Sequence, residues 1–448
     1  WAYRQDQLPS THPIAADMVD LEAVELNFDG ITYAKGASAL RQLVAFVGQD
    51  AFLAGVRAYF AEHAWGNTQL PDLLAHLEAA SGRDLSFFTS QWLQTAGVNM
   101  LKAEFTVDAT DGEEVFTSFA VRQTANEQWP TLRRHRAALG FYDLADERLT
   151  RTARVEFDLD GPLTALPEMV GRRRPDLLLL NDDDLTYAKI RLDERSLATL
   201  AGSVHLLDDG LARALAWGAT WDLTRDGELS ASGYVDLVLR GVGVESDLTA
   251  VNALLAQARI AIDYYAPRGE RRALADRFTG GVARLLKDAA PGSDHQLSLA
   301  RALSGAVNDD VGAAVLRAWL DGEEIPEGLR VDTDLRWRLL TDLARVGAAS
   351  EADIAAEAEH DKTATGAEKA AGARSALKDA GAKASAWAAA TAQDTPNETH
   401  AQICAQFWQL DQEAILGPYA DAYLEVVEAI GEQRGRWATA STTIRQHV

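Results

Sequence analysis

The chain has 448 residues, 47% of them hydrophobic and 11 of them tryptophan, which predicts a folded protein with about two to three hydrophobic cores. Its 67 acidic residues against 43 Lys and Arg give a formal net charge of -24, which repels phosphate backbones and anionic lipid surfaces. We therefore expect no nucleic acid and no membrane among its partners.

Two features of the sequence indicate the cellular compartment: it lacks recognisable targeting segments, and it has a single cysteine. No apolar run reaches the roughly 20 residues that span a bilayer, and residues 1–6 lack the features of a signal peptide. The single cysteine, Cys404, cannot form an internal disulfide, and the pattern of residues 402–407 predicts the face of a buried helix. One unpaired cysteine fits a reducing compartment, so we expect a cytoplasmic protein.

The first predicted elements are helices. Between residues 37 and 80 large apolar side chains recur at the spacing of a helix face. They are Leu40, Leu43, Val44, Val47, Phe52, Val56, Tyr59, Phe60, Leu73, Leu74 and Leu77. Gly48 and Gly66 separate three helices, and Gly82 is expected to end the third.

Strands are predicted from residue 101 onward, where the apolar period changes to two. Alternating runs follow around residues 115–121, 137–141 and 149–159, and Asp111-Gly112 predicts a hairpin turn between the first two strands. The spacing favours a small β-sandwich over residues 99–193.

Two closing strands are predicted at residues 177–180 and 185–193, on either side of the turn Asn181-Asp182-Asp183-Asp184. Three adjacent aspartates could bind a hard cation. An exposed acidic turn is the commoner explanation of such a run, and we expect that here.

Residues 194–448 carry helical patterns between Gly and Pro breakers and show no strict repeat, which suggests an irregular, solenoid-like stack of helix pairs. The alanine-rich stretch 364–392 has high helix propensity but few large side chains. We favour packed helices there, because Trp387 needs a buried environment. A mobile segment is the alternative.

The candidate for chemistry is Tyr33, which lies within residues 27–38, Asn-Phe-Asp-Gly-Ile-Thr-Tyr-Ala-Lys-Gly-Ala-Ser. A phenol is a neutral hydrogen-bond donor at pH 7, so it can stabilise the oxyanion that forms when water attacks a peptide carbonyl. Placed before Lys35-Gly36 at the start of a helix, this donor would be preorganised. An arbitrary tyrosine at a helix start is more often a core aromatic, so the surrounding pattern decides.

That pattern resembles the zinc metallo-aminopeptidase family of aminopeptidase N. The resemblance rests on residues 10–14 (Ser-Thr-His-Pro-Ile), on residues 27–38, and on residues 92–97 (Trp-Leu-Gln-Thr-Ala-Gly). It implies that Tyr33 is the catalytic tyrosine that stabilises the transition state. Phe28, Asp29 and Lys35 are expected to be structural residues that hold the loop and the helix entry. The alternative for Phe28 is substrate binding, because it lies near a position that lines the substrate's first pocket in some relatives.

The family's zinc site is not in this sequence. None of the nine histidines has another histidine four residues away, as His-Glu-x-x-His requires. His12 stands alone before a proline, so we expect a packing or helix-end residue and no metal ligand. The resemblance implies a zinc ion whose ligands lie outside this chain, where the metal polarises the scissile carbonyl and activates water.

The resemblance also implies a multidomain α+β organisation. Residues 1–98 would be the C-terminal helical portion of a thermolysin-like catalytic domain, residues 99–193 a β-sandwich, and residues 194–448 a helical domain that caps the active-site chamber. Where relatives commonly end the catalytic domain with Gly-x-Pro, this chain has Gly97-Val98-Asn99.

The leading hypothesis is therefore the C-terminal portion of a zinc aminopeptidase that removes N-terminal residues from peptides. Its partners would be peptide substrates and the N-terminal part of the same enzyme, and the isolated chain should be inactive. The alternative is a non-enzymatic helical-solenoid module that binds or scaffolds proteins, which the missing metal motif supports. A His-Glu-x-x-His motif upstream of Trp1 would favour the enzyme.

Overall fold

A computed structural model describes residues 1–110 and 112–434 of the chain. It combines helices with two β-sheets, in agreement with the predicted α+β class. The chain divides into two compact units, Trp1–Gly241 and Val242–Val448. The predicted three-domain division, with boundaries after residues 98 and 193, stays a prediction.

Six helices come first: α1 (Ala2–Gln5), α2 (Leu21–Leu26), α3 (Gly36–Val47), α4 (Gln49–Glu62), α5 (Leu70–Ser81) and α6 (Ser86–Phe88). The three predicted helices are confirmed as α3, α4 and α5. Gly48 separates α3 from α4 and Gly82 follows α5, both at positive φ, a conformation that glycine adopts without steric cost. Leu43, Leu77 and Trp92 are buried in the core of this region.

Seven strands follow in the described part of the chain: β1 (Asn99–Thr110), β2 (Glu113–Thr124), β3 (His135–Ala145), β4 (Arg148–Leu159), β5 (Leu163–Ala165), β6 (Leu177–Leu180) and β7 (Ala188–Arg191). One sheet has the order β5-β2-β1-β7 and the other β4-β3-β6. All predicted strands are confirmed. β5 was not predicted, because three residues are too few to show alternation.

The predicted hairpin turn joins β1 and β2. Thr110 pairs with Glu113, and Gly112 has a φ of 87°, as a tight turn between paired strands requires. Asp111, the other residue of that prediction, lies outside the described residues.

The expectation of an exposed acidic turn at residues 181–184 is wrong. Asp182 is buried, where its carboxylate accepts a hydrogen bond from the Tyr142 hydroxyl at 2.7 Å and pairs with Arg151 at 2.7 Å. Gly140 makes room for it, since a Cβ there would lie 2.6 Å from the Asp182 Cγ. The carboxylate is buried because partners from the neighbouring strands neutralise its charge and satisfy its oxygens.

Three helices complete the first unit: α7 (Glu194–Ser203), α8 (Gly210–Arg225) and α9 (Ala231–Gly241). Asp193 and Asp209 accept hydrogen bonds from backbone N–H groups in the first turns of α7 and α8, which satisfies donors that lack helical partners.

The second unit contains ten described helices: α10 (Leu248–Ile260), α11 (Arg271–Asp288), α12 (Asp294–Ala306), α13 (Asp310–Leu320), α14 (Thr333–Val346), α15 (Glu351–His360), α16 (Ala364–Ala376), α17 (Ala380–Thr391), α18 (Asn397–Phe407) and α19 (Glu413–Arg434). Along it, α12 contacts α10 and α14, and α16 contacts α14 and α18. The last residues of the predicted helical domain, 435–448, lie outside the described residues.

The alanine-rich stretch forms packed helices, as predicted. It is divided between α16 and α17, and the Trp387 ring lies 5.8 Å from that of Phe407 and 5.2 Å from that of Tyr419. Cys404 is buried on α18 in the same cluster, also as predicted.

No single helix among the described residues has both the length and the apolar character needed to cross a bilayer. One pair, Ile31–Val47 with Gln49–Glu62, satisfies the length and composition criteria together but bends by 107° at Gly48.

Candidate active site

Tyr33 lies on a single π-helical turn, Ile31–Lys35, which leads into α3. The Asp29 carboxylate begins this turn, because its Oδ1 accepts hydrogen bonds from the backbone N–H groups of Ile31 (2.9 Å) and Thr32 (3.0 Å). At the other end, the Gly36 N–H reaches back five residues to the Ile31 carbonyl. Such turns are rare in proteins and frequent at functional sites.

His12 stabilises the same turn from a distant part of the sequence. Its Nε2 lies 3.0 Å from the Asp29 Oδ2, and its Nδ1 lies 2.8 Å from the Pro13 carbonyl oxygen. Both ring nitrogens therefore have protein partners, and the carboxylate that begins the Tyr33 turn is fixed through both of its oxygens. His12 thus links residues 12–13 to Asp29, and the expectation that it is not a metal ligand stays a prediction.

The Lys35 side chain anchors the turn from beneath. It is fully buried, and its Nζ lies 2.9 Å from the Asp6 carboxylate and 3.1 Å from the Gly97 carbonyl oxygen. Asp6 in turn accepts a hydrogen bond from the Gly97 N–H at 2.8 Å. Burial lowers the pKa of Lys35 to about 8, and the negative charge of Asp6 opposes that shift. The Lys35 side chain therefore connects the Tyr33 turn to Asp6 and to residues 92–97.

Arg133 is a second buried cation at this junction. Its guanidinium donates hydrogen bonds to the carbonyl oxygens of Gln91 (2.8 Å) and Ala96 (3.0 Å) and to the Asn99 Oδ1 (2.8 Å). Its charge centre lies 5.7 Å from the centre of the buried Trp92 ring. Burial lowers the pKa of Arg133, and Asp6 opposes this effect. The Trp-Leu-Gln-Thr-Ala-Gly segment is thus held through its carbonyl groups.

Sequence reasoning missed Asp6, Arg133 and Asn99. Asp6 and Arg133 belong to no motif, and a lone charged residue near a helix or before a strand is usually exposed. Asn99 stands where Gly-x-Pro has its proline, which gives no sign of its contact with Arg133.

Tyr33 and Phe28, the two predicted site residues, lie side by side at the surface. Their ring centres are 6.0 Å apart, with the planes tilted by 35°. Tyr33 is 53% exposed and Phe28 is 61% exposed, although Lys35, two residues after Tyr33, is fully buried. A half-exposed phenol on a turn with a buried anchor can donate a hydrogen bond to a bound molecule at little reorganisation cost.

Among residues 1–110 and 112–434, one group of metal-ligating side chains comes together, formed by Glu62, His63 and His76 on and after α4 and on α5. It does not have the His-Glu-x-x-His arrangement, and His12 is already bonded through both nitrogens.

Two family models match the chain. The Peptidase family M1 domain matches residues 2–92, and the ERAP1-like C-terminal domain matches residues 177–447. The first match contains the Tyr33 turn together with His12, Lys35 and Trp92.

Known proteins are similar to this chain in sequence, over its whole length or over part of it. The chain is 49% identical over 456 aligned residues to aminopeptidase N of Streptomyces lividans, an alignment that covers 100% of this chain and 52% of the relative. It is 34% identical over 133 residues to tricorn protease-interacting factor F2 of Thermoplasma volcanium, covering 29% of this chain and 16% of that protein. It is 37% identical over 101 residues to leucyl aminopeptidase of Saccharolobus solfataricus, covering 22% and 13%.

The chain thus spans about half the length of its Streptomyces relative and a smaller share of the other two. Because the ERAP1-like model covers more than half of the chain and the M1 model covers its start, the chain belongs to the aminopeptidase N-like family of M1 peptidases.

Proposed function

We propose that this chain is the C-terminal portion of a zinc-dependent aminopeptidase that hydrolyses N-terminal residues from peptides, with Tyr33 as the oxyanion-stabilising residue. The observation that carries the proposal is the half-exposed Tyr33 phenol on a turn that the Asp29 carboxylate begins and the buried Lys35 side chain anchors. The names of the relatives support the aminopeptidase class.

In this proposal Tyr33 acts only as a hydrogen-bond donor. The phenol O–H is directed at the peptide carbonyl oxygen and strengthens its hydrogen bond as negative charge develops on that oxygen. Because the donor is preorganised by Asp29 and Lys35, it costs little reorganisation when the charge appears. Proton transfer and binding of the catalytic zinc are assigned to residues outside this chain.

Phe28 is proposed to contact the substrate beside Tyr33. Its exposed ring offers an apolar wall 6.0 Å from the phenol ring, suited to the side chain of the residue that is removed. Replacing Phe28 by Ala should raise KM for arylamides of large apolar residues more than it lowers kcat. Phe60, exposed on α4, is the matched control for loss of a surface aromatic ring. An unchanged KM would remove Phe28 from the substrate site.

The proposed organisation is a catalytic-domain portion over residues 1–98, a β-sandwich over 99–193 and a helical domain over 194–448. The two separate sheets and the successive contacts of α10, α12, α14, α16 and α18 support it. The helical domain is proposed to cap the active-site chamber and so limit peptide size. The enzyme should therefore cleave short peptides and leave the N-termini of folded proteins intact, and efficient trimming of folded proteins would contradict the cap.

The activity is tested with an aminoacyl-arylamide substrate and added zinc. The 448-residue chain alone should be inactive, because it lacks the His-Glu-x-x-His ligands, and the chain joined to a segment that carries them should be active. Robust hydrolysis by the chain alone would contradict the proposed division of the site. A cytoplasmic location stays a prediction, based on the single Cys404.

A further inference from the structure

We propose that Glu62, His63 and His76 form a second metal site, which binds a divalent transition-metal ion such as Zn²⁺ between α4 and α5. One ligand atom from each side chain lies within 4.8 Å of the other two. Two imidazoles and one carboxylate are the donors that zinc and its neighbours in the periodic table prefer, whereas Ca²⁺ and Mg²⁺ prefer oxygen ligands alone.

The distances suit a tetrahedral ion after small side-chain rotations. Ligands that bind zinc at about 2.0–2.1 Å lie roughly 3.4 Å from one another. The His76 Nε2 and the Glu62 Oε2 are already 3.5 Å apart. The Glu62 side chain is 67% exposed, so it is free to adjust, and three protein ligands leave a fourth position for water.

An aromatic ring holds the two imidazoles in place. The Tyr59 ring centre lies 5.3 Å from that of His63 and 6.0 Å from that of His76, and the imidazole centres are 5.5 Å apart. The Tyr59 hydroxyl is hydrogen-bonded to the Thr68 hydroxyl, so the connection between the helices fixes the ring. Both imidazoles therefore approach the site with restricted rotation.

The backbones that carry the ligands are in direct contact. A Cβ at Gly55 on α4 would lie 2.9 Å from the His76 carbonyl oxygen and 3.1 Å from the Leu77 Cα, so only glycine permits this approach. The His63 N–H donates to the Tyr59 carbonyl at 3.0 Å and continues the helical hydrogen bonding of α4. The ligands are thus presented by two packed helices, which is the rigid support that a metal site needs.

A simple ion pair between His76 and Glu62 is the competing explanation, and it assigns no role to His63. A bound ion would instead join the C-terminal end of α4 to α5 through all three side chains. It would also restrain the connection between them, residues 63–69, in which Trp65 is fully exposed.

The test is a titration of the chelator-treated 448-residue chain with Zn²⁺ by calorimetry, and with Co²⁺ by visible absorption. We expect the chain to bind one equivalent of either ion. The bound Co²⁺ should have the visible spectrum of tetrahedral coordination by nitrogen and oxygen. His63→Gln and His76→Gln should each weaken this binding by about tenfold or more, since a ligand contributes at least as much as the outer partners that tune a site. His360→Gln is the matched control, because His360 is an exposed helical histidine on α15, and it should bind as the unaltered chain does.

Glu62→Gln removes an exposed side chain and provides a third variant if His76→Gln fails to fold. It should keep the helical circular dichroism and weaken Zn²⁺ binding. The proposal is overturned if the folded chain binds no Zn²⁺ in the low millimolar range. It is also overturned if binding persists unchanged in His63→Gln and Glu62→Gln, which would place the metal elsewhere.

Discussion

Lys35 in the first unit and Lys383 in the second are both fully buried, and both ammonium groups bind backbone carbonyl oxygens. Burial lowers the pKa of each to about 8. Each also lies near an aromatic ring, 5.8 Å from the centre of Tyr187 and 5.3 Å from the centre of Phe407 respectively. Two unrelated parts of the chain thus use the same side chain as an internal anchor.

The partners of the two lysines differ. Lys383 on α17 donates to the carbonyl oxygens of Ser375 (2.6 Å) and Phe407 (2.7 Å), in the last turns of α16 and α18. These carbonyl groups lack helical partners and carry the negative end of the helix dipole, so they stabilise a cation. Lys35 has the Asp6 carboxylate as well, and Arg133 lies in the same network.

The two anchors also differ in what they hold in place. The Lys383 contacts hold three helices together and end there. The Lys35 contacts hold the turn Ile31–Lys35, from which the exposed Tyr33 side chain extends. The position of the phenol is therefore linked to the stability of the contacts among Lys35, Asp6 and Gly97. Replacing each lysine should therefore have different consequences.

The largest expected effect is that of Lys35→Met. It leaves the buried Asp6 carboxylate without its ion-pair partner, although its hydrogen bonds remain, which should reduce the free energy of unfolding by about 3–5 kcal/mol. Urea unfolding of the 448-residue chain measures this loss. The double variant Asp6→Asn with Lys35→Met should recover part of the loss, because the uncompensated charge is gone. If Lys35→Met reduced the free energy of unfolding by less than Lys383→Met does, the role assigned to Asp6 would be contradicted.

The next effect is a dependence on pH in the same network. Burial lowers the pKa of His135 to about 3, while the imidazole contacts the Thr186 hydroxyl at 2.7 Å and the Gln123 Oε1 at 3.1 Å. An unfolded histidine titrates near 6.5, so between pH 6.5 and 3 the unfolded chain binds a proton that the folded chain does not. The stability that depends on a neutral His135 is fully present above pH 6.5. It decreases as the pH falls, so the free energy of unfolding should be about 2 kcal/mol lower at pH 5.

Unfolding measured at pH 7 and pH 5 should show that loss in the unaltered chain and less of it in His135→Gln. His360→Gln, which removes an exposed histidine, should keep the original difference. Equal pH dependence in His135→Gln and the unaltered chain would mean that His135 does not stay neutral in the folded state.

The smallest effect is expected for Lys383→Met. It leaves two carbonyl groups at helix ends without a donor but creates no buried charge, so the loss should be about 1–3 kcal/mol. Hydrogen exchange should rise in the last turns of α16 and α18, and arylamide turnover by the longer, metal-bearing protein should not change. A fall in turnover in Lys383→Met would remove the distinction between the two anchors.

The sequence predicted the elements that have a clear period. The helices α3 to α5 and the long strands β1 to β4 carry many apolar side chains at regular spacing, and Gly48 and Gly82 mark their ends. The same local patterns located the Tyr33 turn, because its residues are close together in the sequence. β5 and the π-helical turn were not predicted, because they extend over too few residues to show a period.

Contacts between distant residues could not be predicted in this way. Asp6 and Lys35 are 29 positions apart, and Arg133 reaches residues 91–99 from the start of a strand. The burial of Asp182 depends on Arg151 on β4 and on Tyr142 and the space left by Gly140 on β3. The three proposed metal ligands likewise come together only because α4 folds back against α5.

The central claim is that the Tyr33 hydroxyl stabilises the oxyanion. The most direct measurement is the turnover of Tyr33→Phe in the chain joined to a segment that carries the His-Glu-x-x-His ligands. We predict that kcat falls by roughly 100- to 1000-fold, the effect of losing one oxyanion donor, while bound zinc and the unfolding midpoint stay unchanged. Tyr265→Phe, an exposed tyrosine in the second unit, should keep full turnover. A Tyr33→Phe enzyme with normal turnover and normal zinc content would contradict the account.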